Sequence, residues 1–511
     1  MSSFLDAVVN LGDLLDRSRP ADAVAVVDCL DWDHPRQYTY GELDRLADAC
    51  ARGLLRRGLQ TGDAVAILSG NRAEFLAAYL GTMRAGLVSV PVNHKFSRET
   101  LEFVMKDAAV KLVFADGERR PQAPSHLPVV DFDAKDDNGF AALLDPGAFT
   151  SVRPAAHDET AMVLYTSGST GRPKGVPLSH DGQLWTVRSR MGGPDLAAQR
   201  FIVAAPLFHM NALGTSKMIF AAHATLILLP QFDARRYIEA IGRFRATFLT
   251  SVPTMLALIV RERELLAHTD LSSVRAVRMG SAPTTQGLID AVKRAFPGAV
   301  VSYIYGTTEA GPVMFGPHPD GRPQADLALG WPRPQVEVRL VGPDGREAAE
   351  GMLWIRTPAT MTGYLNLPEK TREVLTSDGW YQSGDMFRRE ADGAYYFVGR
   401  ADDMFVCGGE NIYPGEVEAL LERHPDIQQA CVVPIPDEIK YEKPFAFVVT
   451  KDGRRLSEEA VKQYALANAP AFQHPRHVVF LPELPLASTG KVDRVALRRL
   501  ALERRQMETK V

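Results

Sequence analysis

Tyr165-Thr166-Ser167-Gly168-Ser169-Thr170-Gly171-Arg172-Pro173-Lys174-Gly175-Val176 is the stretch on which the reading of this chain turns. An apolar run at 162–165 leads into it, and glycines then alternate with hydroxyl side chains ahead of one lysine. Glycine lets the backbone turn tightly and brings its N–H groups against phosphate oxygens. The hydroxyls of Thr166, Ser167, Ser169 and Thr170 add donors, and Lys174 adds a positive charge. A ligand-free surface loop needs neither the hydroxyls nor the lysine. The P-loop pattern G-x-x-x-x-G-K-[ST] cannot be aligned on it, and it is not the dinucleotide fingerprint.

Outward from the loop, short apolar runs alternate with amphipathic stretches. Strands are expected at 64–68, 110–114, 162–165, 201–205, 225–229, 246–249, 274–279 and 300–304, with helical segments between several of them. That alternation argues α/β layering with largely buried sheets. Thr39-x-x-Glu42 resembles a capping box, and a helix is expected from Asn71 towards Arg84. After Trp354 shorter, partly exposed strands are expected. The run Gly399-Arg400-Ala401-Asp402-Asp403 reads as a linker, and Pro414 stands where a following helix would begin. The fold expected is α/β, a large multi-sheet N-terminal body with a small mobile α+β C-terminal domain. Its limits are 1–399 for the body, 400–403 for the hinge and 404–511 for the mobile domain.

The 511 residues suit two or three domains, and 46% hydrophobic with 23% charged residues excludes a fibrous or mostly disordered chain. With 58 Lys+Arg against 62 Asp+Glu, no global footprint for nucleic acid or an anionic membrane exists. The start of the chain lacks a secretory pattern, and its apolar runs are too short for a membrane span. Cys29, Cys50, Cys407 and Cys431 form no CxxC pair, which fits a cytoplasmic protein. Cys50 lies on the apolar stripe Leu43, Leu46, Cys50, Leu54 and reads as a small buried hydrophobe.

With these residues in view, the loop resembles the signature of the adenylate-forming superfamily: acyl- and aryl-CoA ligases, firefly luciferase and the adenylation domains of nonribosomal peptide synthetases. Further stretches follow in the family's order: Pro206-Leu-Phe-His209, Gly280-Ser281-Ala282-Pro283, Tyr305-Gly306-Thr307-Thr308-Glu309, Tyr381-Gln-Ser-Gly-Asp385, Gly399-Arg400 with Asp402, the segment around Gly408-Gly409, and Pro485 to Lys491. One such match is weak; seven in order are strong.

The resemblance implies ATP, Mg2+ and coenzyme A as reaction partners. It implies phosphate binding by Thr166, Ser167, Gly168, Ser169, Thr170, Gly171 and Lys174. Adenine and the α-phosphate would lie against Gly280, Ser281, Ala282, Pro283, Tyr305, Gly306, Thr307 and Thr308, and the metal at Glu309. Asp385 and Arg400 would hold ribose. Lys491 would bridge the substrate carboxylate and the α-phosphate, and Gly408-Gly409 would line a pantetheine tunnel after rotation about Asp402. His209 would stand at the mouth of the acid pocket, lined by Asn211, Thr215, Met279, Val313 and Met314.

The reaction so implied is activation of a small-molecule carboxylic acid as acyl-AMP with release of pyrophosphate, then transfer to coenzyme A with release of AMP. An aryl, phenylpropenoid or medium-length aliphatic acid is favoured. Asn211 stands where a tyrosine can occur in coumarate-CoA ligases, and no arginine presents itself for a second carboxylate. Loading of a carrier protein and a luciferase-like oxidation are the rival outcomes on the same scaffold. A non-catalytic nucleotide sensor would not need Lys491. A homodimer is the assembly expected.

Overall fold

Strands buried on both faces need apolar residues at nearly every position, and the run Ala64–Leu68 is buried throughout. The structure is a computed structural model that describes residues 3–508 except 167–171, 192–194, 408–409, 438–440, 452 and 488–490. A six-stranded sheet orders Val129–Asp131, Val110–Ala115, Ala64–Leu68, Val88–Pro91, Thr160–Thr166 and Lys174–Ser179. Its neighbours are parallel except the last pair, a hairpin that sets Thr166 opposite Lys174.

A seven-stranded sheet orders Val300–Ile304, Ala276–Gly280, Phe248–Ser251, Arg200–Val203, Thr225–Leu228, Val24–Asp28 and Arg36–Thr39. It is parallel apart from its last pair. Successive side chains point to opposite faces. Phe201 and Val203 therefore enter the core shared with the six-stranded sheet, while Ile202, Val277 and Met279 enter a second core on the outer face. The helix Met210–Ala222 is buried almost all round, as its place between layers requires.

Beyond these, Glu337–Val341, Glu350–Arg356, Tyr381–Arg389 and Tyr395–Arg400 form an antiparallel sheet. A five-stranded sheet of 405–480 carries a separate small core on each face. The stretch expected as a linker is partly strand: Gly399 and Arg400 end Tyr395–Arg400, and Ala401 N–H donates to the Gly384 carbonyl at 2.8 Å.

Local signals account for several boundaries. Thr39 and Glu42 form the reciprocal cap of Tyr40–Arg56, and Pro414 opens Pro414–Glu422. Cys50 is fully buried. The helix expected from Asn71 begins at Ala73 instead. Asn71 uses its amide to bridge the Ala205 and Leu229 carbonyls and to accept from Leu207 N–H, tying this helix entry to the segment before His209. No helix among the described residues is long and apolar enough to cross a membrane.

Candidate active site

Parallel sheets present ligand sites beyond the carboxyl ends of their strands. Three strands of the seven-stranded sheet, two of them adjacent and the third one strand away, lead into the segments named above. Arg200–Val203 leads to His209, Ala276–Gly280 to Ser281, and Val300–Ile304 to Tyr305. The first two segments meet directly, since the Asn211 amide donates to Ser281 Oγ at 3.0 Å. Ser281 has a φ of +68°, in the left-handed region. A Cβ on Gly280 would lie 2.6 Å from Ile304 Cγ1, so this turn can press against its neighbour strand only as glycine.

The Tyr305 segment doubles back at once. Thr307 and Gly311 exchange backbone hydrogen bonds, and Thr307 Oγ1 accepts from Ala310 N–H. A Cβ at Gly306 would come within 2.2 Å of the Pro312 carbonyl. This tight loop holds Glu309 buried, with Thr308 beside it half-buried.

Two polar chains converge on it. Lys174 Nζ donates to the Tyr364 hydroxyl at 3.2 Å and lies 4.3 Å from that ring's centre; the hydroxyl donates in turn to Glu309 Oε1 at 3.1 Å. Arg400 donates to Asp385 at 2.9 Å and to Asp402 at 3.1 Å, while the Tyr305 hydroxyl donates to the other Asp385 oxygen. Burial raises the Asp385 pKa, and Arg400 and Tyr305 pull it back. Among the described residues no cluster of three or more metal-ligating side chains occurs. A cation at Glu309 would take its remaining ligands from phosphate and water, the habit of Mg2+.

Lys491 comes from the far end of the chain. Its side chain is exposed, yet ringed by protein closely enough that burial lowers its pKa, with Asp385 and Glu309 opposing and Arg400 reinforcing that shift. Its charge also acts on His209. The His209 pKa falls to about 4, chiefly through burial and then through Lys491, Lys95 and His94; among the described residues its buried Nε2 has no hydrogen-bond partner. Thr166 Oγ1, at the end of its strand, is a second buried polar atom without a partner among the described residues. Orphans of this kind point to a ligand or water that would satisfy them.

Ser167 to Gly171 and Gly408-Gly409 lie outside the described residues. Ala282 is half-buried and Pro283 exposed on the turn after Ser281. Thr215, Val313 and Met314 are buried at 5%, 7% and 0% exposure, inside the wall between the sheets.

Met279 requires correction as a pocket residue. It is fully buried in the outer-face core, where its sulfur meets the Thr284 hydroxyl. The period-two alternation of Ala276–Gly280 turns Arg278 to the inner face instead. A second correction concerns cations. Arg190, Lys217, Arg278 and Arg333 gather behind the Asn211 helix, although no arginine had been expected there. Tyr364, which links Lys174 to Glu309, was also missed, because nothing local marks a tyrosine 190 residues from its partner.

Comparison with known proteins bears on the chain as a whole. The AMP-binding enzyme family matches residues 16–365, and the AMP-binding enzyme C-terminal domain matches 416–491. A feruloyl-CoA synthase of Amycolatopsis is 32% identical over 473 residues, covering 90% of this chain and 93% of its own. An indoleacetate–CoA ligase of Aromatoleum aromaticum is 32% identical over 488 residues, covering 93% and 95%. Among solved structures, the anthranilate CoA ligase AuaEII with anthranoyl-AMP matches with a TM-score of 0.86 at 26% identity, over 98% and 99% of the two chains. ATP-bound MatB from Rhodopseudomonas palustris matches at 0.86 with 27% identity, and apo MatB at 0.76 with 28%, each over 96% and 98%.

Proposed function

Because the chain belongs to the adenylate-forming superfamily of acyl- and aryl-CoA ligases, the AMP-binding enzymes, we propose that its acid is aromatic or phenylpropenoid and its thiol is coenzyme A. It is an ATP-dependent acid–thiol ligase. The observation that carries the reading is Lys491, brought from the C-terminal part into electrostatic reach of Asp385, Glu309 and His209 together.

Two anions must meet in the first step. A carboxylate oxygen bonds to the α-phosphorus while the bond from that phosphorus to the bridging oxygen of pyrophosphate breaks. Fixed positive charge aimed at the developing charge lowers that barrier. Lys491 supplies it between carboxylate and α-phosphate, and Lys174 supplies it to the departing pyrophosphate. Asp385, acceptor-only when ionised, takes the ribose hydroxyls, and Arg400 keeps that carboxylate oriented. Glu309 is the group that would hold Mg2+, which neutralises phosphate charge when bound.

In the second step the thiol sulfur bonds to the acyl carbon, the acyl–oxygen bond to AMP breaks, and the thiol proton passes to solvent. His209, kept neutral by burial, orients and desolvates without acting as a general base. Lys491 has to leave before pantetheine enters, so rotation about Asp402 separates the steps. The higher TM-score to ATP-bound than to apo MatB supports the present arrangement as the adenylating one. Free buried cysteines suit a reducing cytoplasm, and a homodimer is the assembly to look for by light scattering.

The test is a panel of carboxylic acids with ATP, Mg2+ and coenzyme A, read by mass spectrometry for acyl-AMP, acyl-CoA and the nucleotide product. Aryl acids should give acyl-CoA and AMP. Acyl-AMP without acyl-CoA for every acid turned over would move the acceptor to a carrier protein. ADP as the product would defeat the scheme.

A further inference from the structure

Four cations gather between the seven-stranded sheet and the helices His180–Arg188 and Met210–Ala222, and among the described residues no carboxylate pairs with any of them. Arg190 feels Arg278 and Arg333, Arg278 feels Arg333, and Lys217 feels Arg190; every one of these neighbours depresses the charge it faces. Burial and this crowding push Arg190 to about 9, Arg278 to about 10 and Lys217 to about 7. Buried charge without a counter-charge is strongly unfavourable.

Local structure excuses three of the four. Arg190 donates to the Thr186 carbonyl in the last turn of the helix before it and to the Gly214 carbonyl of Met210–Ala222. Arg333 donates to the Phe315 and Ser189 carbonyls, and Lys217, 1% exposed, to Gln183 Oε1. Arg278 has no such excuse. Its guanidinium lies 4.9 Å from the centre of the Phe248 ring, and its buried Nε and Nη1 have no hydrogen-bond partner among the described residues.

The position of Arg278 says what is missing. It stands on the inner face two residues before Gly280-Ser281, the turn bonded to Asn211. On the adjoining helix, a Cβ at Gly214 would lie in ordinary contact with Met210 Sδ and Pro312 Cγ at 3.7 Å and with Arg190 Nη2 at 3.8 Å, which places this helix against the same cations. Under the acid–CoA ligase reading, an acid activated beside Lys491 and His209 and running past Asn211 would meet the face that carries Arg278. We propose, resting on the acid–CoA ligase reading, that the far end of this acid carries a second negative charge, a carboxylate or equivalent oxyanion, received by Arg278 with Arg190 behind it. The cations are far from the motifs in sequence and meet only in the fold.

The experiment compares para-carboxy, para-hydroxy and para-methyl aryl acids as substrates of the full chain. The para-carboxy acid should exceed the para-methyl acid by about tenfold or more in kcat/KM, since a site left with an unmet buried donor rejects the analogue that cannot meet it. Arg278→Met should erase that preference, mainly through KM, and leave the para-methyl acid unharmed. Arg278→Lys should restore part of it. With its uncompensated charge gone, Arg278→Met should melt no lower than the parent. A parent enzyme that prefers the para-methyl or para-hydroxy acid would overturn the proposal, as would equal losses on all acids in Arg278→Met.

A second readout needs no turnover. Free terephthalate should raise the melting temperature of the parent and not of Arg278→Met. No shift in the parent overturns the proposal. The shift without AMP formation from any acid overturns the ligase reading alone.

Discussion

Lys491 lowers the His209 pKa, while its own is set by burial and by Asp385, Arg400 and Glu309. An ammonium whose pKa is lowered by burial is costly to hold, and it is held only where the anions Asp385 and Glu309 oppose that shift. Lys491→Ala should therefore lower adenylate formation by about a hundredfold or more while sparing thioester formation from supplied acyl-AMP. Equal losses in the two half-reactions, measured by pyrophosphate release and by thioester yield, would reject the assigned role. His209 has its pKa near 4 and stays neutral through the physiological range. The pH profile of adenylation should thus show no inflection near 6.5 that vanishes in His209→Asn; such an inflection would place the histidine in a wetter setting than the structure gives it.

Among the elements, the loop 305–314 is the least forgiving. Gly306 lies against the backbone of Pro312, where no side chain can yield to a methyl group. Gly306→Ala should cost about 1–3 kcal/mol in urea denaturation and weaken ATP binding as the loop shifts. The N-terminal segment Leu11–Asp13 is pinned to the helix His180–Arg188 because Leu11 N–H donates to His180 Nδ1 at 2.9 Å. Burial lowers the His180 pKa to about 4. A histidine whose native pKa is depressed costs nothing above its unfolded value near 6.5. As pH falls from there to about 4, the unfolded state binds a proton that the native state refuses, and stability declines at up to about 1.4 kcal/mol per pH unit. Urea midpoints across that range should drop more steeply for the parent than for His180→Asn. Much at this scale was legible beforehand. The strand 300–304 and the Thr39–Glu42 cap depend on neighbours a few residues away, whereas the entry at Asn71 shifted because its side chain serves a distant segment.

At the scale of the molecule, the C-terminal part meets the body through a carboxylic acid. Glu422 hydrogen-bonds to Thr285 of the body and accepts from its own domain's Ala430 N–H, and burial raises its pKa to about 8. A carboxyl with a raised pKa in one arrangement favours that arrangement as pH falls. The docked form should therefore gain population between about pH 8 and the ordinary glutamate value, and lose it as pH rises through 8. Fluorescence transfer between dyes on the two parts should report this shift in the parent and a flat response in Glu422→Gln. A parent with no pH response would show that this contact does not set the docking equilibrium.

Most elements and the order of the motifs are written along the chain: apolar runs long enough for strands, glycines where backbone presses on backbone, and a lysine, a glutamate, an aspartate and a second lysine in a recognisable order. These are local properties, written within a few residues. Which face each residue serves follows from how the sheets and helices stack. A single step along Ala276–Gly280 exchanges Met279 for Arg278 at the inner wall, and periodicity cannot say which face is inner until the sheets are stacked. Nor can spacing show that Arg190, Lys217 and Arg278 share one space without an anion, because a charge becomes costly through what surrounds it in the fold.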